Sequence, residues 1–462
     1  MSGVQELDFD RNGPPGAGPI RPFHLPTVAE GRIPQGLELR VLPEARVPLV
    51  SGCLVLDAGE AAVPLQQAGL AALSGDALQG GTRQRTGSEL ALAFERLGTS
   101  LGVSTGWDST TVAFTCTAER LGATLDLLAE VVRSPTFPVE EVERVRRQRL
   151  AVLTQRKMDP SSLADDESDR VLFPRTHPYH RPLIGGEDTL AQLGPEEARE
   201  WVASRYRPGR GGLVLVGDLD PEEAHRQVAA HFGDWLGDPP PRASLPAPVD
   251  LAPRTIVVVD RPGAVQTELR VVGIGPDRSH PDRLPLQVAN ALFGGAFTSR
   301  LNLNLRERHG FTYGVRSGFS HRRDGGLFSI ATAIETAVTA SALRETWFEL
   351  ERYLAEGPTE EEVARARDYL AGVFPLRLET TGQRAGTIAE LLVHGRPMEE
   401  LRDYRDRIRS VTRKTAHEAF RRHVDLNRLP VVLCGDAGAV VAPLEALGWG
   451  PVEVRRPGEA IA

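Results

Sequence analysis

A chain of 462 residues is too long for one typical domain and leaves room for two to four. Its apolar share is ordinary for a globular protein, no apolar run approaches a membrane span, and a net charge of −8 gives no general reason to bind nucleic acid. Three widely spaced cysteines, Cys53, Cys116 and Cys434, each inside an apolar β-like run, argue against a disulfide framework or a cysteine-based zinc site; they read as buried free thiols.

Residues 1–24, opening MSGVQELDFDRNGPPGAGP, lack a basic segment followed by an apolar stretch. They read as a flexible leader rather than a secretory signal, and the cytoplasm is the expected compartment. A β-rich pair follows, LELRVLPEARVPLVSGCLVLDAGE, then a short apolar helix pattern, AGLAALSGDALQGGT, over residues 68–82. Next come a hairpin-like stretch (SLGVSTGWDSTTVAFTCTAE), long amphipathic helices, and a strand that ends in Gly-Asp, LVLVGDLD. The acidic run DDESD at 165–169 reads as a solvated helix face or loop. His177 and His180 stand three apart in HPYHRP, but the prolines disfavour a helix and no third ligand lies at ligand spacing, so no metal site is read there. Residues 237–253, GDPPPRASLPAPVDLAP, suit a semi-rigid linker.

Beyond the linker the same order recurs: RTIVVVDRPGAVQTELRVVGIG, a helix, GFTYGVRSGFSHRRDGGLFSIATAI, long helices, and VVLCGDAG. PVEEVERVRRQRLAVL from Pro138 resembles PTEEEVARARDYLAGVF from Pro358, and LVLVGDLD from Leu213 resembles VVLCGDAG from Val431. Both offsets are close to half the chain, as a tandem duplication requires. Strands and helices mix without strict βαβ alternation, so the class is α+β, with homologous domains at 25–236 and 254–462, each a mixed sheet with packed helices.

DAGE (57–60), the Gly69-to-Thr82 helix, HPYHRPLIGG (177–186), RYRPGRGGLVLVGD (205–218), LFGGAFTSRLNLNLRE (292–307) and the pair Arg306…Tyr313 occur in an order that resembles the pitrilysin/insulinase family of zinc metallopeptidases. The resemblance runs from about residue 25 to 455 and is nearest to the non-catalytic alpha subunit of mitochondrial processing peptidase and to two-domain bacterial members. It implies half of a clamshell chamber and, on the early helix, an inverted His-x-x-Glu-His motif, whose i, i+3 and i+4 positions share one face. Matching the flanks Gly69-Leu70 and Gly81-Thr82 puts Ala72 and Asp76 at the histidines and Gly75 at the glutamate. The distal carboxylate would fall near Val152 or Leu153, yet Arg146–Met158 contains no Asp or Glu. No metal or cofactor is therefore expected in this chain; zinc is expected in a partner.

The same resemblance gives Arg306 and Tyr313 the roles of binding the peptide backbone and stabilising the oxyanion, which suits two hydrogen-bond donors. From the residues alone, Arg306 reads as a helix-end ion pair with Glu307 or Asp324, and Tyr313 as a strand filler. Gly294, Gly295, Ala296 and Phe297 align with the family's glycine-rich substrate loop, without its long insertion; a tight helix entry capped by Thr298 or Ser299 is the alternative. The implied function is that of the non-catalytic subunit of a heterodimeric zinc peptidase, taking unfolded peptides as an added strand. The alternative is a non-enzymatic binding or scaffold homologue, acting as a homodimer or as a core subunit of a complex. An autonomous hydrolase would need a nucleophile elbow or clustered carboxylates, and neither is present.

Overall fold

A computed structural model describes residues 18, 21–242, 244–249 and 255–457, so most of the expected leader and part of the expected linker lie outside the described residues. Valine- and leucine-rich strands, several buried along their whole length, build two six-stranded mixed sheets. The first contains β1 (Ala29–Arg32), β2 (Glu38–Pro43), β3 (Leu49–Leu56), β4 (Gly102–Thr105), β5 (Thr110–Thr117) and β6 (Gly212–Gly217), in the order β1-β2-β6-β3-β5-β4. The second contains β7 (Ile256–Asp260), β8 (Gln266–Gly275), β9 (Val315–Arg322), β10 (Gly325–Glu335), β11 (Val431–Gly435) and β12 (Val452–Arg455), in the order β12-β7-β11-β8-β10-β9.

The pairing repeats. The Gly-Asp strand of each half runs parallel to the first strand of the β-rich pair (β6 with β2, β11 with β7) and antiparallel to the second. A hairpin then closes the far side, leaving β4 and β9 as outer edges. Only the near edge differs: β1 runs antiparallel to β2, whereas β12 runs parallel to β7. The fold is α+β, and the duplicated Gly-Asp strands β6 and β11 occupy equivalent positions in the two sheets.

The halves interlock by exchanging a helix. Helix Pro160–Leu172 of the first half lies on the second sheet, with Leu163 and Ala164 against Val259 and Cys434, and Val171 against Val257 and Val432. Reciprocally, helix Thr381–Val393 covers the first sheet, its Ala385, Ile388 and Leu391 sharing a core with Cys53, Val55 and Val214. Polar contacts seal both crossings: Ser51 Oγ lies 2.8 Å from Thr381 Oγ1, and Arg270 donates to Asp165 and to Ser161 Oγ, each at 2.7 Å.

This exchange corrects the reading of DDESD as a solvated face. Glu167 and Ser168 are buried, Glu167 pairs with Arg455 of β12, and Asp165 with Arg270 of β8. The Asp169 side chain makes no hydrogen bond among the described residues, and burial pushes its carboxyl up to about 7, against the pull of Arg322. Because the native pKa lies above the unfolded one, the native state binds more protons between about pH 4 and 7, and stability falls as pH rises through that window. Asp169→Asn should therefore stabilise the protein at pH 8 by about 1–2 kcal/mol, allowing for partial solvation, with the gain vanishing below about pH 4. Urea titrations at the two pH values measure it.

Some described residues of the expected leader and linker are held by contacts to the rest of the chain. Phe23 stacks edge-on against Phe374, Arg405 donates to the Arg21 carbonyl at 3.0 Å, and Arg242 binds buried Asp57 at 2.8 Å. Asp57 also receives Arg210 and Arg323, so one carboxylate joins first half, linker and second half. Among the described residues no helix is long and apolar enough to cross a membrane.

Candidate functional site

The helix α1 (Leu70–Asp76) begins where the Glu60 carboxylate, fully buried, accepts N–H bonds from Gly69 (2.6 Å), Ala71 (3.1 Å) and Ala72 (3.3 Å). Arg181 completes the cluster at 2.7 Å from Glu60. Burial raises the Glu60 carboxyl, opposed by Arg181 and the amides. Gly69 turns the chain at φ 96°, where a Cβ would stand 2.6 Å from the Ile184 carbonyl, so both conformation and space demand glycine. DAGE and Gly69 are thus the apparatus that starts α1. α1 ends at Asp76 rather than at Thr82 as the sequence suggested; beyond it, Thr82 bridges to Pro135 and hydrogen-bonds Glu130.

The metal-motif positions on this helix are filled by packing and by a cation. Arg149, buried on helix Val139–Met158, donates to Asp76 Oδ2 at 2.6 Å and to the Ala72 carbonyl at 2.7 Å. Its guanidinium ties together the two positions matched to histidines, and a fixed positive charge opposes a divalent ion there. At Gly75 an added Cβ would meet Thr105 Oγ1 at 2.6 Å and Val103 Cγ1 at 3.4 Å, because β4 lies directly on the helix. Leu153 is buried in the same apolar cluster as Leu70 and Leu73, while Val152 is exposed. These residues do not fit a zinc ion. We expect the triple variant A72H/G75E/D76H to show no EDTA-sensitive peptidase activity and a lower melting temperature, since the Gly75→Glu change overpacks the helix against β4 at a cost of about 1–3 kcal/mol. A peptide-hydrolysis assay with a thermal melt checks both.

The second half holds its donors differently. Residues Ala291–Gly295 and Leu303–Arg308 form two π-helical turns, a distortion frequent at functional sites. Asn302 grips both main-chain groups of Val315, donating to its carbonyl at 2.8 Å and accepting its N–H at 3.1 Å. Thr312 Oγ1 accepts from Gly314 N and from Thr332 Oγ1. Tyr313 therefore stands on a clamped turn leading into the edge strand β9, yet its side chain is 94% exposed. Arg306 lies over the exposed Phe297 ring, 4.3 Å from its centroid, and reaches Glu307 only at 3.6 Å. One of its terminal nitrogens, Nη1, is buried without a hydrogen-bond partner. The plain alternative for Arg306, an ion pair with Glu307, is present, whereas Tyr313, 94% exposed, fills no strand. Among the described residues no hydrogen bond or ion pair joins Arg306 or Tyr313 to α1.

Of the four candidate loop residues, Phe297 alone presents a large side chain. A Cβ on Gly294 would lie 2.4 Å from Ser317 Oγ, and one on Gly295 2.7 Å from Asn290 Nδ2. The Ala296 carbonyl is occupied by Ser299 N and Asn302 Nδ2, and its N–H by Ala291. Close internal packing accounts for the glycines; Ser299 is the residue before the next helical turn, without a side-chain cap bond. Gly294→Ala should cost about 1–3 kcal/mol of stability in chemical denaturation, by overpacking. His177 and His180 sit in a short turn, His177 Nδ1 accepting from Tyr179 N and His180 Nδ1 against the Phe173 carbonyl. Arg149 was not legible as a site residue: only the unexplained charge of Asp76 on an apolar helix hinted that a buried cation would answer it.

Two homologous α+β halves, a helix whose motif positions Arg149 ties together, and the exposed Tyr313 on the turn into β9 are the features of an insulinase-type scaffold. Residues 42–168 match the family model described as insulinase (peptidase family M16), and residues 192–370 match the one described as peptidase M16 inactive domain. The chain belongs to peptidase family M16. It is 28% identical over 365 residues to an uncharacterised zinc protease of Mycobacterium bovis, covering 78% of this chain and 82% of the relative. It is 25% identical over 382 residues to the mitochondrial-processing peptidase subunit beta of Pongo abelii, covering 79% and 75%. A crystal structure of a peptidase M16 inactive domain from Pseudomonas fluorescens superposes with a TM-score of 0.82 at 25% identity, over 89% of this chain and 98% of that one.

Proposed function

We propose that this chain is the metal-free subunit of a two-chain zinc peptidase, supplying Arg306 and Tyr313 to a homologous partner that carries the His-x-x-Glu-His helix. The observation that carries the reading is the contrast between the halves. In the first, a buried guanidinium and tight packing fill the motif positions; in the second, a clamped turn holds Tyr313 out of the surface, and Arg306 keeps an N–H with no hydrogen-bond partner. Phenol and guanidinium donate hydrogen bonds to the carbonyl oxygen of a bound peptide, and those bonds strengthen as negative charge develops on it. The free edge of β9, entered directly after the Tyr313 turn, offers main-chain groups to an extended peptide with little regard for sequence.

A relative named as a subunit of mitochondrial-processing peptidase supports assembly with a second chain. Mixing the purified protein with a zinc-bearing homologue encoded beside it tests the assembly. The expected result is a 1:1 complex by native mass spectrometry that cleaves a quenched unfolded peptide. A homodimer that ignores every zinc-bearing homologue would favour the scaffold reading instead.

A further inference from the structure

The second half carries a donor cluster that neither the Arg–Tyr pair nor α1 uses. His280 and Asp282 lie on the turn entering helix Arg283–Asn290, and His423 is the last residue of helix Arg413–His423, which packs against it. His423 Nε2 stands 3.0 Å from Asp282 Oδ2, and His280 Nδ1 stands 3.9 Å from the same oxygen. The imidazole rings meet edge to face with centroids 4.6 Å apart. One donor atom from each of the three residues lies within 4.8 Å of the others, and no other His/Cys/Asp/Glu trio among the described residues meets that condition. The geometry points to a divalent transition-metal site formed by His280, Asp282 and His423, with an open coordination position.

Ligand bonds of about 2.1 Å in a tetrahedral arrangement place donor atoms about 3.4 Å apart, which the observed 3.0 and 3.9 Å separations bracket. Two imidazoles with one carboxylate select a borderline ion such as Zn²⁺ or Co²⁺, rather than the all-oxygen shells of Ca²⁺ and Mg²⁺. The side chains of Asp282 and His423 are 15% and 14% exposed, which limits competition from water. His280 and His423 line a cavity of about 640 Å³ whose walls carry Asp277, Asp324 and Asp425 together with Arg422 and Arg428, giving room beside the trio for water or a small ligand.

Three contacts now occupy the atoms the ion would take. The Asp282 amide donates to His280 Nδ1 at 3.1 Å, His423 Nε2 is hydrogen-bonded to Asp282 Oδ2 at 3.0 Å, and Arg422 pairs with that same oxygen. The Arg422 side chain is 57% exposed and has room to swing into solvent, so it competes with the ion without blocking it. It also makes the opposite sign of effect available to experiment: removing this side chain deletes no donor and relieves a competing charge.

The test is titration of chelator-stripped, full-length protein with Co²⁺, followed by visible absorption, and then displacement by Zn²⁺. The expected result is one equivalent of Co²⁺ with the intense visible bands of a low-coordinate ion, released by one equivalent of Zn²⁺. Asp282→Asn and His423→Ala should each weaken binding about 100-fold. Arg422→Ala should tighten it several-fold, and Asp76→Asn should leave it unchanged, which separates this site from α1. Failure to bind Co²⁺, or binding that survives the H280A/H423A double substitution, would overturn the assignment. So would R422A weakening the binding, a result that stands even where a ligand variant folds poorly.

Discussion

Arg306→Ala or Tyr313→Phe, made in this chain alone, should cut the peptidase activity of the reconstituted two-chain complex by about 10²–10³-fold, mostly in kcat. The size follows from the loss of one preorganised donor at an oxygen that gains charge only in the transition state. Tyr313 has no other duty to lose: its side chain is 94% exposed and makes no hydrogen bond among the described residues, so removing its hydroxyl leaves the fold intact. Arg306 rests on Phe297 with a single distant carboxylate, and its removal should scarcely affect stability either. The double variant should lose less than the product of the two single losses, because the donors serve one oxygen. Steady-state kinetics on a quenched peptide, with complex formation verified by native mass spectrometry, reads the effect. Unchanged activity in both variants would remove the in-trans role.

Glu60→Ala should be the most damaging single change to stability, costing about 3–5 kcal/mol. The substitution leaves Arg181 charged and nearly buried, and it strands the N–H groups of Gly69, Ala71 and Ala72. Glu60→Gln should cost less, since the amide oxygen still accepts some of these bonds. In E60A/R181M the buried cation is gone as well, so the double variant should recover part of the loss. Urea unfolding of the wild type, E60A, R181M and E60A/R181M, with E60Q alongside, gives the comparison, and additive costs of the two single changes would show that the pair is not coupled.

The duplication was legible because its markers are local. LVLVGD and VVLCGD become β6 and β11, each parallel to the first strand of the β-rich pair, as their shared apolar run into a Gly-Asp turn suggests. The helix exchange was not legible. DDESD looks like a solvated face until the Arg455 and Arg270 that answer it are brought from β12 and β8, 288 and 105 positions away. That Ala72, Gly75 and Asp76 stand where the motif has His, Glu and His could be read from one helical turn, but the contact of Arg149 with Asp76 could not, since the arginine reaches it across 73 positions. Pattern alone points Gly294 and Gly295 towards substrate, whereas Ser317 and Asn290 fill the space that their missing side chains leave. His280 and His423 meet only through the packing of two helices, and no spacing in the chain announces them.

A chain that contributes to peptide cleavage without the power to cleave can be recognised by comparing three samples. Peptide hydrolysis is measured for the isolated chain, for the zinc-bearing homologue alone and for their mixture, each with and without EDTA. Activity decides here rather than zinc content, because the His280–Asp282–His423 cluster offers an ion a place away from α1. The predicted result is no hydrolysis by the isolated chain and EDTA-sensitive hydrolysis by the mixture, far above that of the homologue alone. EDTA-sensitive hydrolysis by the isolated chain, or a mixture no more active than the homologue, would contradict it.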